Sequence, residues 1–195
     1  RTEHFMVDAQ GRDNFVEAEM AMDANGRFLG VRAHLVGNLG AYVHQFGPYI
    51  LFVGPTMVPG TYDIQAVHMV MDGVYTNTTP TDAYRGAGRP EACFLMEKLV
   101  DACARDAGMS PDGIRRLNFI RPEQMPYTTP TGRTYDSGDF EGSMDQCMAL
   151  AEWGRFAERE AQSRARGKLR GIGMATYIEI AAFPGMENVR LQLEK

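Results

Sequence analysis

The chain predicts an α+β fold of mixed or antiparallel strands with helices. Apolar residues recur at period two early and late in the chain, and at helical spacing between. The order strands, helices, strands carries no internal repeat. With 44% hydrophobic and 23% charged residues over 195 positions, the composition is that of a globular chain long enough to bury a core.

The first strand places Val16, Ala18, Met20 and Met22 on one face and Glu17 and Glu19 on the other. The turn Asp23-Ala24-Asn25-Gly26 makes it a hairpin with a return strand carrying Leu29, Val31, Ala33 and Leu35. Pro48, Pro55 and Pro59 exclude a regular ladder between Phe46 and Gly60, leaving a buried-facing loop or short helical turn. Ile64 to Thr76 reads as a further strand. Pro90 suits the first position of a helix, where its missing N–H would have no partner. Ala92, Leu95/Met96, Leu99 and Cys103 then form its inner stripe and Gly108 stops it. Ser110-Pro111 opens a second helix with Ile114 and Leu117 on one side, and a polar loop follows from Arg121 to Gly138. A third helix starts near Asp139 or Ser143, uses Met144, Cys147/Met148 and Ala151 as its inner stripe, and ends before Gly167. Ile172, Met174, Thr176, Ile178 and Ile180 alternate as a strand, as do Val189, Leu191 and Leu193. Because the chain stops inside that last strand pattern, it reads as a segment of a larger protein.

Several classes of function are excluded or unsupported. A net charge of -5 offers nucleic acid no global attraction, and no apolar run is long enough for a membrane span. Cys93, Cys103 and Cys147 are odd in number and lack Cys-x-x-Cys spacing, which argues against a disulfide framework and for a reducing, cytoplasmic setting. His4, His34, His44 and His68 share no metal-ligand spacing, so no metal ligand is assigned. Met57, Met69, Met71 and Met96 read as core fillers. The run Arg155 to Arg170 is interleaved with Glu158 and Glu160 and reads as a solvated helix surface. Glu179 and Glu187 are acid-base candidates if buried, against the plainer reading of solvated or arginine-paired carboxylates.

The unusual stretch is Thr78 to Glu91, between a strand and the main helix. Gly86 and Gly88 beside Arg85 and Arg89 let backbone and guanidinium groups approach a ligand closely, at a helix N-terminus that adds positive potential. An oxyanion, phosphate or oxo group suits that place. The plain alternative is a tight turn whose arginines form surface ion pairs. A dinucleotide-binding Rossmann-type domain is a further alternative, although Glu91 stands where its third glycine is needed.

Arg1-Thr2-Glu3-His4-Phe5, Gly11-Arg12-Asp13, Asn38-Leu39-Gly40-Ala41-Tyr42, Thr76 to Pro80, Ala83 to Glu91, Arg115 to Ile120 and Tyr135 to Phe140 resemble, in order, the molybdopterin-binding large subunit of molybdenum hydroxylases. Within that family of aldehyde oxidase and xanthine dehydrogenase-like proteins, the likeness is to the aerobic carbon monoxide dehydrogenase branch. The resemblance implies an internal segment of the molybdopterin-binding domain. Its parts would be a strand-rich region over 1–76, an active-site loop over 77–90, a helical region over 91–167, and strands over 168–195.

By the same resemblance Arg85 orients substrate or an oxo group, and Tyr84, Gly86, Ala87 and Gly88 form the loop near molybdenum. The implied cofactor is molybdopterin cytosine dinucleotide with molybdenum, and the reaction is oxidative hydroxylation of a small molecule with water as oxygen source. The implied partners are an iron-sulfur small subunit with 2Fe-2S clusters and a medium subunit with FAD. Carbon monoxide-oxidising members place a copper-bridging cysteine where Gly86 stands, so copper is not expected. Purine-hydroxylating members place a phenylalanine where Ala87 stands. The family's catalytic glutamate and other cofactor loops have no match here, so the isolated segment is expected to be inactive.

Overall fold

The computed structural model describes residues 2–180 and 192, apart from the side chains of His4 and Val7. After a single helical turn α1 (His4–Val7), β1 (Asn14–Met22) and β2 (Phe28–Gly40) form the expected hairpin. Asp23 closes it: its Oδ1 accepts from the Asn25 and Arg27 N–H groups.

Strand β2 lies at the centre of the sheet, antiparallel to β1 on one side and parallel to β3 (Ala66–Tyr75) on the other. The parallel partner is reached through α2 (Gly47–Val53) and a 3-10 turn at Gly54–Met57, which is what the prolines of this stretch permit. In this register Val16, Ala18 and Met20 stand beside Leu35, Ala33 and Val31, which in turn stand beside Met71, Met69 and Val67. That face packs into one core with α3 (Arg89–Asp106), through Ala92, Leu95, Met96, Val100, Cys103 and Ala104. The other face is charged and exposed, with Arg32 paired to Glu19 and His34 2.7 Å from Asp72. The sheet is therefore mixed, not the predominantly parallel sheet that a dinucleotide-binding domain requires.

Ser110 caps α4 (Pro111–Asn118) by accepting from the Gly113 N–H. The polar loop after it contains a two-residue ribbon, β4 (Tyr127–Thr128) with β5 (Thr134–Tyr135). Asp139 caps α5 (Phe140–Leu150).

Two expectations need correction. The third helix does not run on toward Gly167: Glu152 takes a left-handed φ of 46°, and a separate helix α6 (Phe156–Arg164) follows. On α5 only Met144 is buried and Met148 half-buried, while Cys147 and Ala151 face solvent. The segment 172–180 forms no strand either. Met174, Thr176, Ile178 and Ile180 do alternate inward, but backbone groups here bond to side chains: Thr176 N–H donates to Glu97, and the Met174 carbonyl accepts from Arg115. Val189, Leu191, Leu193 and Glu187 lie outside the described residues.

Candidate active-site loop

Residues 76–88 connect β3 to α3, and their last three run through Gly86, Ala87 and Gly88 with φ of 90°, 44° and 94°. Gly88 is the N-cap of α3, and its place is set by close approach. A Cβ there would lie 2.5 Å from the Ile50 carbonyl oxygen and 3.0 Å from Gly54 Cα. Only glycine accepts both that conformation and that contact. Ala87, with its positive φ, is strained, and two turn bonds hold it: Ala87 N–H to the Tyr84 carbonyl and Arg89 N–H to the Gly86 carbonyl, both 3.0 Å.

The segment 10–13 straps this loop from outside. Gln10 donates to the Pro80 carbonyl and accepts from Asp82 N–H, both at 2.9 Å. Gly11 passes so close to Tyr84 that a Cβ would lie 2.9 Å from the tyrosine Cβ. Arg12 Nη2 donates to the Arg85 carbonyl at 2.6 Å, its Nη1 meets Glu91 at 3.0 Å, and its guanidinium lies over the Tyr84 ring, 5.3 Å from the centroid. Asp13 accepts from Asn38 Nδ2 at 2.7 Å, and the same amide donates to Thr78. Asn38 Oδ1 accepts from Gly40 N–H and Thr76. Thus the separate sequence motifs around Arg12, Asn38, Thr76 and Tyr84 meet in one network.

Asp82 anchors the other side of the loop, accepting from Phe46 and Ala83 N–H groups and from the His44 ring. Partial burial disfavours its charged form, but the Ala83 N–H, His44 and the Phe46 N–H together outweigh this and hold its pKa below the ordinary aspartate value.

The three arginines of the loop region have different fates. Arg12 is taken by Glu91, and Arg89 pairs with Glu179. Glu179 is therefore an arginine-paired carboxylate, the plainer of its two readings. Arg85 alone points outward: its side chain is exposed and has no ion pair among the described residues. Tyr84 is 59% exposed beside it. An apolar cleft of about 600 Å³ lies between β1 and α3, lined by Arg12, Val16, Pro90, Glu91, Phe94 and Leu95. A second, of about 520 Å³, lies between α5 and residues 173–177. The loop 84–88 lines neither. Cys93 sits inside α3, where burial first and the Glu97 charge second push its thiol pKa up, the opposite of what a metal-bridging thiolate needs.

Sequence reasoning marked Arg85 but not the parts that hold its loop. Arg12 entered only as one letter of a motif, and nothing local reveals that it reaches 73 residues along the chain. It also passed over a buried cluster two turns into α3. There Glu97 accepts from Arg115 Nη2 at 2.7 Å, from Thr176 N–H at 2.9 Å and from the Tyr62 hydroxyl. Burial and the Glu97 charge raise the Tyr62 pKa well above its usual value. The available signal was positional: Glu97 adjoins Met96 on the inner stripe of α3, and Arg115 sits between Ile114 and Asn118 on α4.

Residues 1–119 match the model of the molybdopterin cofactor-binding domain. The chain is 36% identical to the carbon monoxide dehydrogenase large chain of Hydrogenophaga pseudoflava, over 92% of this chain and 23% of that protein. It is 32% identical to the nicotine 6-hydroxylase large subunit of Paenarthrobacter nicotinovorans, over 92% of this chain and 22% of that one. Among solved structures, quinoline 2-oxidoreductase from Pseudomonas putida 86 superposes with a TM-score of 0.78 at 32% identity, covering 85% of this chain and 21% of that one. The chain thus spans under a quarter of the length of these relatives. With its mixed sheet, its left-handed arginine–glycine loop and the match over residues 1–119, the chain belongs to the molybdopterin cofactor-binding domain family of molybdenum hydroxylase large subunits.

Proposed function

We propose that this chain supplies the substrate-side arginine loop of a molybdenum hydroxylase, within a longer large subunit that oxidatively hydroxylates a small organic molecule. The observation that carries this is the isolation of Arg85. Two neighbouring arginines are neutralised by Glu91 and Glu179, yet Arg85 is held out by its main chain with an unpaired guanidinium among the described residues. A structural turn with surface ion pairs would tie it down.

This donor set fits an oxygen-rich group. Arg85 offers a planar cationic fork at the end of a rigid loop, and Gly86 and Gly88 keep side chains away from its base. Arg85, with the loop backbone at Tyr84, Gly86, Ala87 and Gly88, would adjoin the molybdopterin cytosine dinucleotide. When bound, that cofactor supplies two-electron redox chemistry with water as the source of the oxygen placed on substrate. Arg85 orients the substrate and stabilises negative charge developing on its oxygen. Gly86 offers no thiolate for copper, so this reading assigns an aldehyde or an N-heterocycle as substrate and leaves carbon monoxide aside. The partners assigned are an iron-sulfur small subunit carrying 2Fe-2S clusters and a medium subunit carrying FAD, in the cytoplasm. The three free cysteines are compatible with that compartment. The catalytic base belongs to the remainder of the large subunit.

The test is metal analysis of the purified full-length complex, with turnover measured on carbon monoxide, benzaldehyde and quinoline. Molybdenum without stoichiometric copper, and faster turnover of an organic substrate, is the expected result. Active complex without molybdenum overturns the reading.

A further inference from the structure

We infer that Arg12 is a positioning residue for Arg85, acting on the Arg85 main chain and leaving its guanidinium free. This rests on the role assigned to Arg85 above and adds to it the residue that holds that arginine.

Four contacts converge on the Arg12 side chain. Nη2 donates to the Arg85 carbonyl at 2.6 Å and reaches the Tyr84 carbonyl at 3.5 Å. Nη1 meets Glu91 at 3.0 Å, and the guanidinium carbon lies over the Tyr84 ring, 5.3 Å from its centroid. Glu91 stands in the first turn of α3, where a carboxylate is favoured by the helix dipole, and α3 is fixed by the core. Arg12 therefore ties the carbonyl of residue 85 to α3, a helix packed into the core. Its own backbone is held at a left-handed φ of 58°, a conformation that costs energy in a non-glycine residue. Gln10 and Asp13 fasten the strap on either side, to Pro80, Asp82 and Asn38. A lysine could satisfy Glu91 or one carbonyl, but it lacks the planar fork that serves both and lies over the ring. Holding the carbonyl at a core-anchored side chain fixes the position of the backbone from which the Arg85 side chain departs, and misplacement by about 1 Å is worth on the order of 100-fold in rate.

The experiment uses the full-length complex with R12Q, R12K, R85Q and the double variant R12Q/R85Q. Hydrogen exchange is measured on peptides spanning residues 80–88 and on peptides from α3 and the sheet. Turnover is measured on whichever of benzaldehyde, quinoline and carbon monoxide the wild type oxidises fastest. In R12Q, exchange over 80–88 is expected to rise about tenfold or more while α3 and the sheet stay protected. Turnover is expected to fall about 10- to 100-fold, mainly in kcat, with molybdenum content unchanged. R12K falls between R12Q and wild type. The double variant loses little beyond R85Q, because Arg12 acts through Arg85.

Additive losses in the double variant overturn the proposal, as does unaltered exchange over 80–88. So does loss of molybdenum or of α3 protection in both R12Q and R12K, which would make Arg12 a residue of folding or cofactor retention. A harmless R85Q would instead count against the role of Arg85 itself, and the exchange result on R12Q would still decide whether Arg12 holds the loop.

Discussion

Arg115 and Glu97 face each other across the contact of α4 with α3, the arginine side chain wholly enclosed, and bond through Nη2 at 2.7 Å and Nε at 3.2 Å. Nη2 also reaches Asp101 at 3.0 Å and the Met174 carbonyl at 3.2 Å, and Nη1 donates to the Pro111 carbonyl at 2.9 Å. A partner on every nitrogen is what makes a buried guanidinium tolerable.

Removing the Glu97 charge leaves the buried Arg115 with the partly exposed Asp101 as its one carboxylate partner among the described residues. Glu97→Gln is expected to destabilise the subunit by about 3–5 kcal/mol. The apolar double replacement Glu97→Leu with Arg115→Met should cost less than either single change. Unfolding midpoints of the full-length subunit check this, and a double variant worse than both singles would contradict it.

Asn118 joins the hairpin turn to α4. Its Oδ1 accepts from Phe28 N–H at 2.8 Å, and its Nδ2 donates to the Gly26 and Ile114 carbonyls at 2.9 Å. Asn118→Leu leaves buried backbone groups unpaired and should cost about 2–4 kcal/mol. Asn118→Asp should be worse, because it turns a carboxylate toward two carbonyls. Amide exchange at Phe28 reports the loss directly.

The loop glycines should rank by what their missing Cβ would meet. Gly88→Ala drives a methyl into the Ile50 backbone; Gly86→Ala, at 2.7 Å from Pro90 Cδ, meets a ring edge. Gly108→Ala meets nothing within 4 Å and pays only for its φ of 64°, on the order of 1 kcal/mol. The expected order of damage to turnover is Gly88, then Gly86, with Gly108 near wild type. Molybdenum content and kcat of the three variants test it.

Asp82 gives the loop an acid limit. Its pKa is lowered on folding, so its contribution is present above the unfolded value of 3.8 and is lost as pH falls through the lower folded value. Below pH about 4, protection of the 80–88 peptides relative to the intrinsic exchange rate at each pH should fall in wild type. Asp82→Asn should show raised exchange at neutral pH already, with a flatter acid dependence. Parallel pH curves for the two proteins would refute the assignment.

The hairpin at Asp23 to Gly26, the helix opening at Pro90, the cap at Ser110 and the isolation of the arginine–glycine loop between a strand and a helix were all legible in the sequence. Each depends on neighbours within a few residues: a turn aspartate closing on its own backbone, a proline at the start of a helix, a stripe every third or fourth position. The break at Glu152 was not legible, because the left-handed residue is itself a glutamate and Gly154, two residues on, is compatible with a continuing helix as well as with a turn. The alternation from Ile172 to Ile180 is a pattern of inward side chains from Met174 on, but not a ladder. Period two records which side chains turn inward, whereas a strand also needs a backbone partner, and here Glu97 and Arg115 take that place.

The sequence by itself determined the α+β class and the principal elements, for which local periodicity suffices, and it marked the arginine–glycine loop by residue chemistry, with Arg85 singled out by the family resemblance. Only the tertiary structure decided which arginine stays free. Arg12, Arg85 and Arg89 are alike as letters. Their carboxylate partners arrive from elsewhere in the fold, Glu91 meeting Arg12 across 79 residues and Glu179 meeting Arg89 from the far segment. Charge pairing is a matter of distance in space, and no spacing in the chain records it.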